Sequence, residues 1–158
     1  MINILFVCLG NICRSPLAEA LFNHKIKQLH WHDKFSVDSC GTGDFHIGAQ
    51  PDSRTIKSAH QNGVEIFHAC RQLMTSDLQN FDYVITMDKS NRQNIFLLAD
   101  SSLFQDKIFL MRDFDSLHPG SDVPDPYHGN EHEFNEVFSI LDRSMDGFIN
   151  RLKKVHPF

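Results

Sequence analysis

The alternation of β-prone and helix-periodic segments along these 158 residues predicts an α/β fold. The expected form is one domain over residues 1–158, with a four-stranded parallel sheet and helices on both faces, a Rossmann-like three-layer arrangement. Three observations carry that expectation. Four short apolar or β-branched runs recur along the chain, and segments of helical period separate them. No repeat, low-complexity tract or linker divides the sequence. The length and the 41% hydrophobic content suit a single buried core.

Each element follows from its residues. Ile4-Leu5-Phe6-Val7 is an unbroken apolar run, the pattern of a strand covered on both faces. Pro16 then opens a helix to about Leu29, with Leu17, Leu21, Phe22 and Leu29 on one side. Phe35-Ser36-Val37-Asp38 reads as a short strand, broken by Cys40-Gly41-Thr42-Gly43. Asp52 to Asn62 is helical, and Asn62-Gly63 is its stop. Tyr83 to Met87 is strongly β-prone, and a helix follows over about Lys89 to Leu98. Lys107 to Met111 is the fourth strand, and Arg112 to Gly129 reads as irregular. Asn130 with Glu133 forms a cap pair for the last helix. Its apolar stripe runs through Phe134, Val137, Phe138, Leu141, Met145, Phe148, Ile149 and Leu152.

The chemistry concentrates where the first strand meets the first helix, in Cys8-Leu9-Gly10-Asn11-Ile12-Cys13-Arg14-Ser15-Pro16. A loop entering a helix N-terminus aims backbone N–H groups at one spot, and the helix dipole adds positive charge there. Such a spot binds an anion. Cys8 at its rim lies where a thiolate is favoured. Arg14 offers a planar fork of donors matched to two phosphate oxygens, which lysine could not copy. Gly10 allows a positive φ or a close backbone approach. Nucleophile, oxyanion cradle and clamp together specify phosphate-ester chemistry.

This Cys-x5-Arg-Ser stretch resembles the signature of the low-molecular-weight protein tyrosine phosphatases. The resemblance continues, in the family's order, through Val37-Asp38-Ser39, Gly48-x-x-Pro51-Asp52, His68-Ala69-Cys70-Arg71-Gln72, Phe81-Asp82-Tyr83, Met87-Asp88-Lys89-Ser90-Asn91 and Asp125-Pro126-Tyr127. It therefore covers nearly the whole chain. The resemblance implies a phosphatase I-like fold and hydrolysis of phosphotyrosine through a phosphocysteine on Cys8. No cofactor is implied. The partners implied are phosphotyrosine-containing proteins, with phosphate or other oxyanions as inhibitors, and a monomer or weak self-association.

A displaced phenoxide needs a proton donor. Asp125, stiffened between Pro124 and Pro126, is a plain turn aspartate taken alone. Beside the Cys8 loop and within the family's Asp-Pro-Tyr it becomes the expected general acid, and the base that activates water in the second step. By the same resemblance Asn11, Ser15, Ser39 and His68 form a polar network holding the loop open, with Ser15 donating to the sulfur. For Ser39 and His68 ordinary burial of polar groups remains an equal reading. Asp88 corresponds to the partner of the loop arginine.

Leu9, Ile12, Phe45 and Tyr127 are the expected pocket walls, deep enough for an aryl phosphate. His128, at the mouth, departs from the second tyrosine of eukaryotic relatives. Protein arginine phosphatases of this fold resemble CTGNTCRS, with threonine at the position of Ile12. Isoleucine lacks the hydroxyl that would bond a guanidinium, which favours an aryl substrate. Cys13 is either a small buried hydrophobe or, by resemblance, a redox-sensing partner of Cys8.

The net charge of −5 argues against a general nucleic-acid or membrane-surface binder. Four dispersed cysteines without a dense framework, and no apolar run long enough for a bilayer, point to the cytoplasm. None of the ten histidines has zinc-site spacing with cysteine, so no metal is expected. An arsenate reductase of the same fold would need a relay of further cysteines, and Cys40 and Cys70 show no paired spacing. A silent phosphate-binding module would have no use for the acid.

Overall fold

The computed structural model describes residues 1–98 and 103–158. Four strands, β1 (Ile2–Cys8), β2 (Phe35–Gly41), β3 (Tyr83–Thr86) and β4 (Ile108–Leu110), form one parallel sheet in the order β2-β1-β3-β4. Among the described residues five α-helices accompany it: α1 (Arg14–Gln28), α2 (Ser53–Gln61), α3 (Thr75–Asn80), α4 (Lys89–Leu98) and α5 (Glu131–Val155). The α/β class and the four-stranded parallel sheet are as the sequence predicts.

The apolar run of β1 divides between two cores. Ile4 and Phe6 pack with Leu17, Leu21 and Phe22 of α1 and Val137, Leu141 and Phe148 of α5. Leu5 and Val7 face the other way, with Leu78 of α3, Val84 of β3 and Ile95 of α4. A strand buried on both faces has no polar alternation, as seen here. Aromatic edges lock the first core: Phe6 meets Phe148 edge-on at 6.4 Å, and Phe22 meets Phe35 at 5.2 Å.

Several boundaries differ from the expected ones. β2 continues through Cys40 to Gly41, because the Cys40-Gly41 pair still faces β1 in register. α1 begins at Arg14, with Pro16 inside its first turn, where a missing N–H leaves no intrahelical bond unmade. Leu29 is not on the buried stripe. It is the C-cap residue and 36% exposed, and Ile26 fills the place one turn earlier. α3 carries no apolar period long enough to betray it. It is set by Asp77, whose carboxylate accepts the Met74 N–H at 2.8 Å and the Arg71 guanidinium at 2.9 Å. The stretch after β4 opens with a single 3-10 segment over Met111–Phe114 before it becomes irregular.

α5 has the predicted cap: His132 N–H donates to Asn130 Oδ1 at 3.0 Å, and Asn130 N–H to Glu133 Oε2 at 2.8 Å. All eight residues of its expected stripe are buried. Gly147 lies where a Cβ would stand 1.9 Å from Phe114 O, so only glycine lets the 111–114 segment lie against the helix.

The chain passes from β1 to β2 on one side and then to β3 on the other. That reversal opens a crevice beyond the carboxyl end of β1, where open α/β sheets bind ligands. Cys8 is the last residue of that strand.

Candidate active site

Residues 9–13 link β1 to α1 and wrap around Cys8, a buried residue (2% exposed) whose surface remaining to solvent faces the pocket described below. Asn11 N–H reaches Sγ at 3.3 Å and Ser15 Oγ lies 3.0 Å from it. The Ser15 hydroxyl already accepts from Asn11 Nδ2 at 2.8 Å, so its one proton is directed at the sulfur, 3.0 Å away, or at the Cys40 carbonyl, 3.3 Å away. Donors on two sides suit a thiolate. Such an arrangement also suits a thiolate leaving group.

Asn11 is the hub of the loop, and it takes the positive φ that is one of the two uses expected of Gly10. Its φ is 57°, whereas Gly10 is not among the glycines with positive φ. Gly10 serves the close approach instead: a Cβ there would come 3.1 Å from the His46 ring, which would have to give way. Asparagine tolerates the left-handed region because its short amide bonds locally. Asn11 Nδ2 also donates to Ser39 Oγ at 3.0 Å, and Oδ1 accepts from the Arg71 N–H at 3.0 Å. A backbone N–H can only donate, so Oδ1 must face Arg71. His68 Nε2, 2.7 Å from that same oxygen, therefore carries the proton. Cys70 Sγ donates to the Asn11 carbonyl at 2.9 Å. From the β2 side, Gly41 presses on the loop so closely that a Cβ would sit 2.6 Å from Leu9 O.

Arg14 is the first residue of α1 and is 3% exposed. Its Nη1 donates to Asp88 Oδ2 at 2.7 Å and to Val123 O at 2.9 Å, which fixes one rotamer. Burial works against its charge, but Cys8, Asp88 and Asp125 together outweigh it and hold the guanidinium's pKa above its usual value. Asp88 is itself held by Asn91, which donates its N–H to Asp88 Oδ1 at 2.7 Å. Asp125 approaches from the far rim, its Oδ2 3.7 Å from Arg14 Nη2 and its Oδ1 accepting the Tyr127 N–H at 3.1 Å.

These groups line one pocket of about 320 Å³. Cys8, Leu9, Gly10, Ile12, Cys13 and Arg14 form its floor and near wall, and Phe45, His46, Asp125, Tyr127 and His128 form its mouth. Every expected wall residue is brought there. Asn11, Ser15, Ser39, His68 and Asp88 stand behind the floor, as hydrogen-bond partners of the lining residues and of one another. His46 was not singled out in the sequence. It sits next to Phe45 in a glycine-rich turn, and only packing beside Tyr127, at a centroid distance of 6.3 Å, brings its ring to the mouth.

Behind the loop lies a second group that sequence spacing did not reveal: Glu19 of α1, Asp38 of β2 and His68. One donor atom from each falls within 4.8 Å of the others. A cation there would share the site with the Arg71 guanidinium, which grips Asp38 at 2.8 Å and Asp77 at 2.9 Å. Burial raises the Glu19 carboxyl to about 7 and lowers the pKa of His68. Among the described residues Glu19 Oε1 has no hydrogen-bond partner, and it lies 3.3 Å from His68 Nδ1. All four cysteines are free thiols. Burial, followed by the Asp52 charge, raises the Cys13 thiol to about 12.

Comparison with known proteins agrees across the chain. The family model described as low molecular weight phosphotyrosine protein phosphatase matches residues 3–157. A protein of that description from Schizosaccharomyces pombe is 41% identical over 141 residues, covering 89% of this chain and 90% of its own. A protein tyrosine phosphatase from Entamoeba histolytica, solved with Hepes in its active site, superposes with a TM-score of 0.94 at 38% identity, covering 98% and 99% of the two chains. The Drosophila arginine phosphatase superposes at 0.86 with 30% identity, covering 95% and 97%.

Proposed function

The chain belongs to the low molecular weight phosphotyrosine protein phosphatase family, and from that premise we propose that it hydrolyses phosphotyrosine esters by way of a phosphocysteine on Cys8. The observation that carries this reading is the convergence of Cys8, Arg14 and Asp125 on one pocket with apolar walls.

In the first step the Cys8 sulfur attacks phosphorus in line with the ester oxygen. The S–P bond forms as the P–O bond breaks. Asp125 gives its proton to the departing phenoxide. The backbone N–H groups of residues 9–13 and the Arg14 guanidinium hold the equatorial oxygens, where preorganised donors stabilise developing charge most effectively. Arg14 can do this because Asp88 and Val123 O occupy its Nη1 and leave the other edge toward the pocket. In the second step the Asp125 carboxylate takes a proton from water as the water oxygen attacks phosphorus. The S–P bond breaks, and inorganic phosphate and the Cys8 thiolate are released.

Substrate choice rests on the walls. Leu9, Ile12, Phe45 and Tyr127 present apolar surface to a phenyl ring. Phosphoserine is too short to bring its phosphorus down to Cys8. The Drosophila relative acts on arginine phosphate by its name, and Ile12 here offers no hydroxyl to a guanidinium. Phosphotyrosine therefore remains the preferred reading. Among the described residues no helix is long and apolar enough to cross a membrane.

The test is hydrolysis of phosphotyrosine, phosphoarginine and arsenate reduction measured on one preparation in buffer containing a chelator. Phosphotyrosine turnover should dominate and should vanish in Cys8→Ser. Undiminished turnover in that variant would remove the nucleophile assignment, and a preference for phosphoarginine would remove the substrate assignment.

A further inference from the structure

The loop with the nucleophile and the segment with the acid lie far apart in the sequence, and besides the contacts of Arg14 with Val123 O and Asp125 a second tie joins them, through the pair Asp52 and Arg54. Asp52 donates its backbone N–H to Ile12 O of the Cys8 loop at 2.8 Å. Its carboxylate caps α2 through the Arg54 N–H at 2.9 Å, and it accepts a two-pronged grip from the Arg54 side chain: Nε to Oδ1 at 3.0 Å and Nη2 to Oδ2 at 2.9 Å. The guanidinium then reaches across the mouth. Its Nη2 donates to Tyr127 O at 2.9 Å and its Nη1 to Gly129 O at 3.3 Å. The plane lies 4.4 Å from the Phe134 ring centroid and 5.7 Å from that of Tyr127.

Asp125, by contrast, has little holding it directly. Its side chain is 44% exposed, and its nearest charged neighbour in the pocket is Arg14 at 3.7 Å. A carboxyl so loosely held must be aimed through its backbone, and its one short bond is to the N–H of Tyr127, the residue whose carbonyl Arg54 holds. Arg54 itself is 41% exposed, where an ion pair contributes little to stability. Its worth lies in direction: a planar fork can satisfy a carboxylate and two carbonyls at fixed angles, and an ammonium cannot.

We propose that Arg54, oriented by Asp52, is a positioning residue that sets Asp125 against the Cys8 nucleophile by coupling the acid segment to the phosphate loop. This rests on the mechanism given above. It assigns to a half-exposed arginine, outside the lining of the Cys8 pocket, control over proton transfer.

The experiment compares kcat/KM for an aryl phosphate with a poor leaving group, phenyl phosphate, against one with a good leaving group, dinitrophenyl phosphate. The proteins are wild type, Asp125→Ala, Arg54→Met and Arg54→Lys. Methionine keeps an apolar stem over Phe134 and removes every donor. Arg54→Met should lose about ten- to hundredfold on phenyl phosphate, the scale of a misplaced catalytic group, and about twofold or less on the good leaving group. Inhibition by inorganic phosphate and the rate of Cys8 alkylation by iodoacetate should stay as in wild type, because the phosphate loop is intact. Arg54→Lys should recover little. Equal losses on both esters, or wild-type kcat/KM on phenyl phosphate in Arg54→Met, would overturn the assignment. If Asp125→Ala shows the leaving-group pattern and Arg54→Met does not, only this inference falls. If Asp125→Ala shows none, the acid assignment itself fails and takes this one with it.

Discussion

Glu19 gives the sharpest pH prediction. It is 9% exposed in α1, and burial raises its carboxyl from 4.5 to about 7. A raised carboxyl means that the native state binds this proton more tightly than the unfolded chain does. The stability so gained is complete below the unfolded value of 4.5, declines as pH rises, and is lost once pH passes about 7. At about 1.4 kcal/mol per pKa unit, the loss across that window is about 3 kcal/mol. Glu19→Gln keeps the shape and hydrogen-bonding reach and has no proton to lose. Urea unfolding of both proteins at about pH 5 and about pH 8.5 should therefore show the variant gaining about 3 kcal/mol on wild type at the higher pH. His68, whose pKa is lowered by burial, contributes stability that is present above its unfolded 6.5 and lost as pH falls through its native value, a change of opposite sign to that of Glu19. Parallel pH profiles for wild type and Glu19→Gln would refute the reading of Glu19 as a buried acid that ionises at the expense of the fold.

Two further changes probe the loop and its frame. Asn11→Gly keeps the backbone freedom needed at φ 57° but deletes the amide that bonds Ser15, Ser39, Arg71 and His68, so turnover should fall by about tenfold or more while thermal unfolding shifts by only about 1–3 kcal/mol. Gly147→Ala puts a methyl 1.9 Å from Phe114 O, and the forced separation of α5 from the 111–114 segment should cost about 1–3 kcal/mol in a melting experiment.

Much of the site was legible because its residues are local. Cys8, Arg14 and Ser15 fall within one strand–loop–helix junction, and that junction dictates its own geometry: N–H groups converge wherever a loop enters a helix. The apolar period of α5 and its Asn130–Glu133 cap were equally plain, because they satisfy a helix from within. What spacing could not give is anything set by a distant partner. Asn11 rather than Gly10 takes the left-handed conformation, because its amide is anchored by Ser39, His68 and Arg71 from two other segments. α3 owes its start to Asp77 and its link to Arg71, and neither leaves an apolar period to read.

By itself the sequence determined the layers, the Cys8–Arg14 loop, and the family to which the chain belongs, since these follow from hydrophobic period and from residues packed into a short consecutive stretch. Only the tertiary structure decided what surrounds them: the raised Glu19 carboxyl, His46 at the mouth, and the Asp52–Arg54 tie between two loops. Burial, field and bond direction depend on which remote segments the fold places side by side, and no local pattern of side chains records that.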